Sequence, residues 1–209
     1  MAQIALTSST PTGRRDLVVV GASAGAVPVL RGLATQLPAD FPAAVLVVLH
    51  VGAHHSVLPE LLKDRGALRA RHALDGQVLQ PGAIEIAPPD EHMLVEGNCI
   101  RLRHGPKEHH ARPAIDPLFR SAALAQGPRV IGVLLSGRLD DGTAGLGAIK
   151  HCGGLVMVQD PDDAEHPEMP RSALAHVAVD CCVPGSELAP TLQRLVALAL
   201  VPVTAATPH

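Results

Sequence analysis

The chain has almost no aromatic residues: its 209 residues include two Phe, no Tyr and no Trp. Proteins that bind single-stranded nucleic acid usually stack the bases on aromatic side chains, so this composition argues against such a partner. A basic excess is also lacking, because 17 Lys and Arg stand against 20 Asp and Glu. Duplex-binding proteins normally carry that excess. We therefore expect no nucleic-acid partner.

Long apolar runs are missing too, and none approaches the ~20 residues of a membrane helix. Residues 1–16 lack the charged and apolar regions of a signal peptide and predict a flexible leader, and residues 201–209 predict a flexible tail. No CxxC spacing occurs among the four cysteines, which are Cys99, Cys152, Cys181 and Cys182. This pattern is typical of reduced thiols. We expect a cytoplasmic protein without direct membrane insertion.

The composition that is present indicates one folded domain, which we place at residues 17–200. Hydrophobic residues make up 47% of the chain and charged residues 18%, which excludes an intrinsically disordered protein. Continuous apolar runs predict buried strands at Leu17–Gly21, Ala43–His50 and Val130–Leu135. Helical spacing of apolar residues follows the first run, over Ala24–Leu37. Alternating strands and helices predict a parallel sheet with right-handed crossovers.

The middle of the chain has a different pattern. Ala83–Ala87, His92–Glu96 and Cys99–Arg103 are short alternating segments, and Gly97-Asn98 can form a tight turn. They predict an antiparallel hairpin attached to the sheet. Asp116 followed by Pro117 predicts the N-cap and first residue of a helix. The fold class is therefore α/β, a doubly wound, mostly parallel sheet with an antiparallel β-hairpin.

Reactive side chains follow three of the predicted parallel strands. Ser23 lies in a G-x-S-x-G turn, His50 ends the second strand, and Asp140 and Asp141 follow the strand at Val130–Leu135. Because parallel strands end at one edge of a sheet, we expect a nucleophile, a base and an orienting carboxylate to converge there. Each has an ordinary alternative by itself: a Gly-rich or phosphate-binding turn, a structural histidine, and a turn or N-cap aspartate.

Two other groups of residues have weaker interpretations. Histidines cluster in the loops, at His54, His55, His104, His109 and His110. They lack metal-ligand spacing, so we expect no metal and no cofactor. The basic loop Arg101–Arg112 can steer an anionic partner or be an ordinary solvated loop. A nucleotide site is disfavoured because GxGxxG is absent after the first strand and no acid ends the second.

The chain resembles the catalytic domain of the CheB-type protein-glutamate methylesterase family over roughly residues 17–200. The resemblance rests on the ordered motifs VVVGASAG, LVVLHV, IEIAPPDEHMLV, HHARPAIDPLFRSAA, GVLLSGRLDDGTAGLGAIK and VQDPDDAEHPEMPRSAL. It implies Ser23 as nucleophile and His50 as base. It favours Asp141 over Asp140 as the orienting carboxylate, because the family's aspartate directly precedes the glycine that matches Gly142.

Two motifs depart from the family pattern. Ala26 replaces the second glycine of GxSxGG, and Arg138-Leu139 replace Met-Gly of TGMGxDG. The change at 138–139 puts substrate binding in doubt more than the triad. The family position that matches Arg138 lies at the pocket rim. Arg138 either binds an acidic surface or a carboxylate there, or it simply faces solvent. A 16-residue leader holds no receiver domain, so the expectation is a stand-alone catalytic domain without phosphorylation control in cis.

The resemblance implies hydrolysis of glutamate methyl esters on the cytoplasmic helices of methyl-accepting receptors, and deamidation of glutamine. Main-chain N–H groups at the helix start, with Ala24 as the candidate, would hold the oxyanion. A sensor kinase or methyltransferase of the same pathway is a further expected partner. The alternative is a catalytically weak binding or scaffold module of a bacterial signalling pathway.

Overall fold

Seven parallel strands form the central sheet of the structure, a computed structural model that describes residues 13–50, 56–63 and 66–200. The strand order is β3-β4-β2-β1-β7-β8-β9, and β5 and β6 form a separate antiparallel pair. The strands are β1 Leu17–Ala22, β2 Ala44–Leu49, β3 Arg69–His72, β4 Ala83–Ile86, β5 His92–Glu96, β6 Cys99–Arg103, β7 Val130–Leu134, β8 Leu155–Gln159 and β9 Cys181–Val183.

Helices cover both faces of this sheet. They are α1 Val27–Gln36, α2 Leu58–Lys63, α3 Ile115–Gln126, α4 Thr143–His151, α5 Glu168–His176 and α6 Leu188–Ala197. One apolar cluster joins α1, α2 and α6 to one face, and a second joins α3, α4, α5 and the hairpin to the other. In β1, Val18 packs in the first cluster and Val19 in the second. Burial on both faces explains why β1 is continuously apolar, and the predicted fold class is confirmed.

The hairpin prediction is right for β5 and β6 but wrong for the segment before them. Ala83–Ile86 is a strand of the parallel sheet, and the hairpin forms a sheet of its own. The polar residue that made this segment appear alternating is Glu85, which is buried and takes three hydrogen bonds of 3.0–3.1 Å from Arg71. A buried glutamate that pairs with Arg71 thus gave this strand the alternating pattern that is typical of a strand with one solvent-facing side.

The helix at Asp116-Pro117 also begins differently from the prediction. Its N-cap is Ala114, and Asp116 lies inside the first turn. The first turn of α3 is capped by Asp141, which lies in the turn after β7. Asp141 accepts hydrogen bonds from the N–H groups of Ile115 and Asp116 at 2.8 and 3.0 Å. A distant side chain therefore replaces the local cap that the sequence favoured.

Most of the predicted leader and all of the predicted tail lie outside the described residues. The described residues next to them pair with each other: Arg14 bridges Ala199, and Leu200 N–H donates to Gly13 O at 3.0 Å. The four cysteines are free thiols. Within the described ranges, no helix has the length and apolar character that a membrane crossing requires.

Candidate active site

The strand order brings the predicted reactive residues to one edge. β1 lies between β2 and β7, all three are parallel, and their carboxyl ends therefore meet. Ser23 follows β1 directly, His50 follows β2, and Asp141 lies in the turn between β7 and α4. This is the position at which open α/β sheets carry their sites.

The three side chains form one hydrogen-bonded chain. Ser23 Oγ lies 3.1 Å from His50 Nδ1, and His50 Nε2 lies 2.9 Å from Asp141 Oδ2. A carboxylate only accepts, so the imidazole proton belongs on Nε2, and this leaves Nδ1 free to accept from the serine hydroxyl. His50 is 19% exposed and Asp141 is 2% exposed, so the chain runs from solvent to interior. This arrangement suits proton transfer from a serine nucleophile.

Asp141 is held as a buried anion. Burial alone raises its pKa, but hydrogen bonds from His50 and from the N–H groups of Ile115 and Asp116 outweigh burial and leave the pKa below its ordinary value. Two of these donors belong to the first turn of α3, where the helix dipole also favours negative charge. The Asp140 side chain is 66% exposed, and its ion-pair partner is His109, at 3.4 Å, rather than His50. The structure therefore separates the two neighbouring aspartates.

Ser136 fixes the turn that presents the serine. Its carbonyl accepts from Ser23 N–H at 3.0 Å, and its hydroxyl donates to Ala24 O at 2.8 Å. The same hydroxyl accepts from His166 N–H at 2.9 Å. Gly25 has φ +76°, and a Cβ there would lie 2.8 Å from Ser136 Oγ. The G-x-S-x-G spacing thus reflects a left-handed turn that leaves no room for a side chain.

The residues predicted to bind substrate lie beside this turn. Among the described residues, none accepts a hydrogen bond from Ala24 N–H, the candidate oxyanion donor. Arg138 is exposed. Leu139 has φ +65° and is exposed, a left-handed conformation in which glycine is favoured. Leu139 therefore adopts a backbone conformation that favours glycine, and its side chain lies on the surface.

One element of the site was missed by sequence reasoning. His109, interpreted as a loop histidine, lies 3.0 Å from Asp116 Oδ2, 3.8 Å from Asp141 Oδ1 and 3.4 Å from Asp140 Oδ1. Burial lowers the pKa of His109, but the charges of Asp141 and Asp116 raise it more, and the net direction is upward. The only local signal was the Asp116-Pro117 pair, which indicates a helix start rather than a buried acid.

Asp116 itself is buried behind Asp141. Its Oδ1 accepts from Gly142 N–H at 3.1 Å and from Gly145 N–H at 2.7 Å. Burial is the main reason that its pKa is raised, and the nearby charge of Asp141 adds to the effect. Although His109, Asp116 and Asp141 place one potential ligand atom each within 4.8 Å of one another, every carboxylate oxygen already faces an N–H donor. The geometry fits a hydrogen-bonded network.

A serine, an imidazole and a buried carboxylate in hydrogen-bond contact, at the edge of a doubly wound parallel sheet, are the arrangement that serine hydrolases use. Residues 18–192 match the model of a family described as CheB methylesterase. The match covers most of the chain, so this chain belongs to the CheB methylesterase family. The resemblance stated from the motifs is confirmed.

Similar proteins of known name agree with this assignment. The chain is 34% identical over 194 residues, 88% of its length, to protein-glutamate methylesterase/protein-glutamine glutaminase 2 of Methanosarcina mazei, and 35% identical over 193 residues, 88% of its length, to protein-glutamate methylesterase/protein-glutamine glutaminase of Moorella thermoacetica. The matched regions are 53% and 46% of those relatives, so the chain spans about half their length. The CheB methylesterase catalytic domain of Thermotoga maritima superposes with a TM-score of 0.83 at 30% identity, over 87% of this chain and 98% of that one.

Proposed function

We propose that this chain hydrolyses methyl esters of glutamate side chains in chemoreceptor-type signalling proteins and deamidates glutamine at the same site. The observation that carries the proposal is the hydrogen-bonded chain of Ser23, His50 and Asp141, at 3.1 and 2.9 Å. The family assignment and the printed names of the relatives support the substrate class.

The mechanism follows from which atoms face each other. His50 Nδ1 takes the proton of Ser23 Oγ as the oxygen attacks the ester carbonyl, and Asp141 stabilises the resulting imidazolium. The N–H of Ala24 is the proposed donor to the oxyanion. Methanol leaves with the proton from His50, and a water activated by His50 then releases the glutamate. With glutamine, the leaving group is ammonia.

The proposed substrate also sets the proposed partners and location. Receptor cytoplasmic helices would lie across the edge that carries Ser23, and Arg138 on the exposed turn would face their acidic surface. The protein would therefore act in the cytoplasm. A sensor kinase or a methyltransferase of the same pathway is a further proposed partner.

The experiment is methanol release from a methylated receptor fragment by the wild type, by Ser23→Ala and by Ser186→Ala, a control at an exposed serine. Ser23→Ala removes one hydroxyl, so we expect an unchanged fold and a loss of ~10³-fold or more. Ser186→Ala should match the wild type. Near-wild-type turnover by Ser23→Ala would overturn the assignment of Ser23 as the nucleophile. If the wild type bound the receptor fragment but released no methanol, the scaffold function would be favoured.

A further inference from the structure

A cavity of about 250 Å³ opens beside the proposed base. His50 lines it together with Asp90, Lys107, His110 and Arg112. The volume is several times the ~30 Å³ that a water molecule occupies, so a side-chain carboxylate fits. A group bound there lies next to the imidazole that handles the proton. The basic loop identified in the sequence supplies most of this lining.

The first half of that loop is fixed by hydrogen bonds. Arg112 donates from Nε and Nη2 to Asp90 Oδ1, at 3.0 and 2.7 Å, and from Nη1 to Gly105 O at 2.6 Å. His92, on the hairpin, donates from Nε2 to Pro106 O at 2.9 Å. The sequence left two interpretations of this loop open, steering of an anionic partner and an ordinary solvated loop. A solvated loop does not explain why the Arg112 guanidinium makes three hydrogen bonds.

The second half of the loop is fixed as well. Glu108 and Ala111 exchange two main-chain hydrogen bonds, of 3.2 and 2.8 Å, and the Glu108 carboxylate pairs with Arg120 at 2.7 Å. His109 and His110 both have positive φ, 48° and 60°. Two consecutive left-handed residues cost about 1 kcal/mol or more each and persist only where the surroundings impose them. They place His109 against the buried acids and His110 at the cavity.

The charge of this cavity is unbalanced. The Arg112 hydrogen bond is the main reason that the pKa of Asp90 lies below its ordinary value, and the charges of His104 and Lys107 lower it further. Asp90 is the one acid among the described lining residues, and its Oδ1 accepts both hydrogen bonds from Arg112. Lys107 is exposed. Its charge is felt by Asp90, but among the described residues the ion-pair partners of Asp90 are Arg112, at 2.7 Å, and His104, at 3.7 Å. The described lining therefore holds two cations, Arg112 and Lys107, against one carboxylate, and His110 is a further potential donor.

We propose that Lys107 and His110 form a carboxylate subsite that binds an acidic side chain neighbouring the ester that Ser23 attacks. The inference rests on the proposed function and names its substrate more closely: a glutamate ester in an acidic stretch of helix. Lys107 acts as a specificity residue, since it contacts the substrate's neighbouring side chain and not the reacting atoms. Arg112 and Asp90 hold the loop in place.

The test uses two synthetic helical peptides, each with one glutamate γ-methyl ester, that differ only in having Glu or Gln next to it. A partly exposed charge pair contributes up to ~1 kcal/mol, so the wild type should prefer the Glu peptide by about fivefold in KM with similar kcat. Lys107→Met should bring the ratio to about one, and Lys107→Glu should invert it. Lys63→Met, an exposed lysine on α2 outside the cavity lining, should keep the wild-type ratio.

Binding separates this proposal from the proposed function. The two peptides are titrated against Ser23→Ala and against Ser23→Ala with Lys107→Met, where no hydrolysis is needed. A Glu preference that disappears with Lys107 supports the subsite, even if the wild type releases no methanol and the proposed function fails. Equal affinities for the two peptides in Ser23→Ala, or a preference that survives Lys107→Met, would overturn the subsite.

Discussion

At the scale of single residues, burial divides two aspartates that are adjacent in the chain. Asp141 bonds His50 and caps α3, whereas Asp140 is mostly exposed. Asp141→Asn should lower the rate of ester hydrolysis by about 10³–10⁴-fold, because an amide no longer holds the imidazole tautomer that accepts from Ser23. Asp140→Asn should change it less than about threefold. Steady-state methanol release measures both, and equal losses would contradict the assignment.

His109 provides a prediction about pH. Its pKa is raised in the folded protein above the ordinary value of 6.5. The stability that it contributes is therefore fully present below pH 6.5 and is lost as the pH rises through the raised pKa. His109→Gln should lower the free energy of unfolding more at pH 6 than at pH 9, measured with urea. The exposed His151→Gln is the control, and a loss independent of pH would contradict the ionic role.

At the scale of elements, the sequence identified the continuously apolar strands and missed β3, an edge strand that is mostly exposed. β1, β2 and β7 are continuous apolar runs and were predicted within one or two residues. β3, with the sequence Arg-Ala-Arg-His, has no such signal, because it is an edge strand whose Arg71 serves the buried Glu85. The start of α3 was displaced because its cap, Asp141, is 25 residues away from Asp116.

The hairpin is an element whose packing supports the site. Met93 on β5 is fully buried in the cluster that includes α3, the helix whose first turn holds Asp141. Met93→Ala should lower the free energy of unfolding by about 2–5 kcal/mol, because it leaves a cavity in this cluster. Leu124→Ala, on the exposed side of α3, should change it by less than about 0.5 kcal/mol. If urea unfolding gave similar losses for the two variants, the assignment of Met93 to the core and of Leu124 to the surface would be wrong.

At the scale of the whole molecule, topology explains why part of the site could be predicted. Three strand-end residues had to meet once the sheet was parallel, and the structure places Ser23, His50 and Asp141 in hydrogen-bond contact. The route of the loop that carries His109 and His110 is set by long-range bonds such as Arg112 to Asp90, 22 residues apart. The local sequence pattern does not show contacts between residues that far apart in the chain.

Covalent labelling reports whether Ser23 is an activated nucleophile, and it needs no receptor substrate. A fluorophosphonate phosphonylates a serine whose proton a neighbouring base removes: the Oγ–P bond forms and fluoride leaves. The folded wild type should carry one adduct, which peptide mapping by mass spectrometry should place on Ser23, and His50→Gln should slow the labelling strongly. A folded chain that stays unlabelled, or that carries its adduct on another serine, would show that Ser23 is not the activated nucleophile.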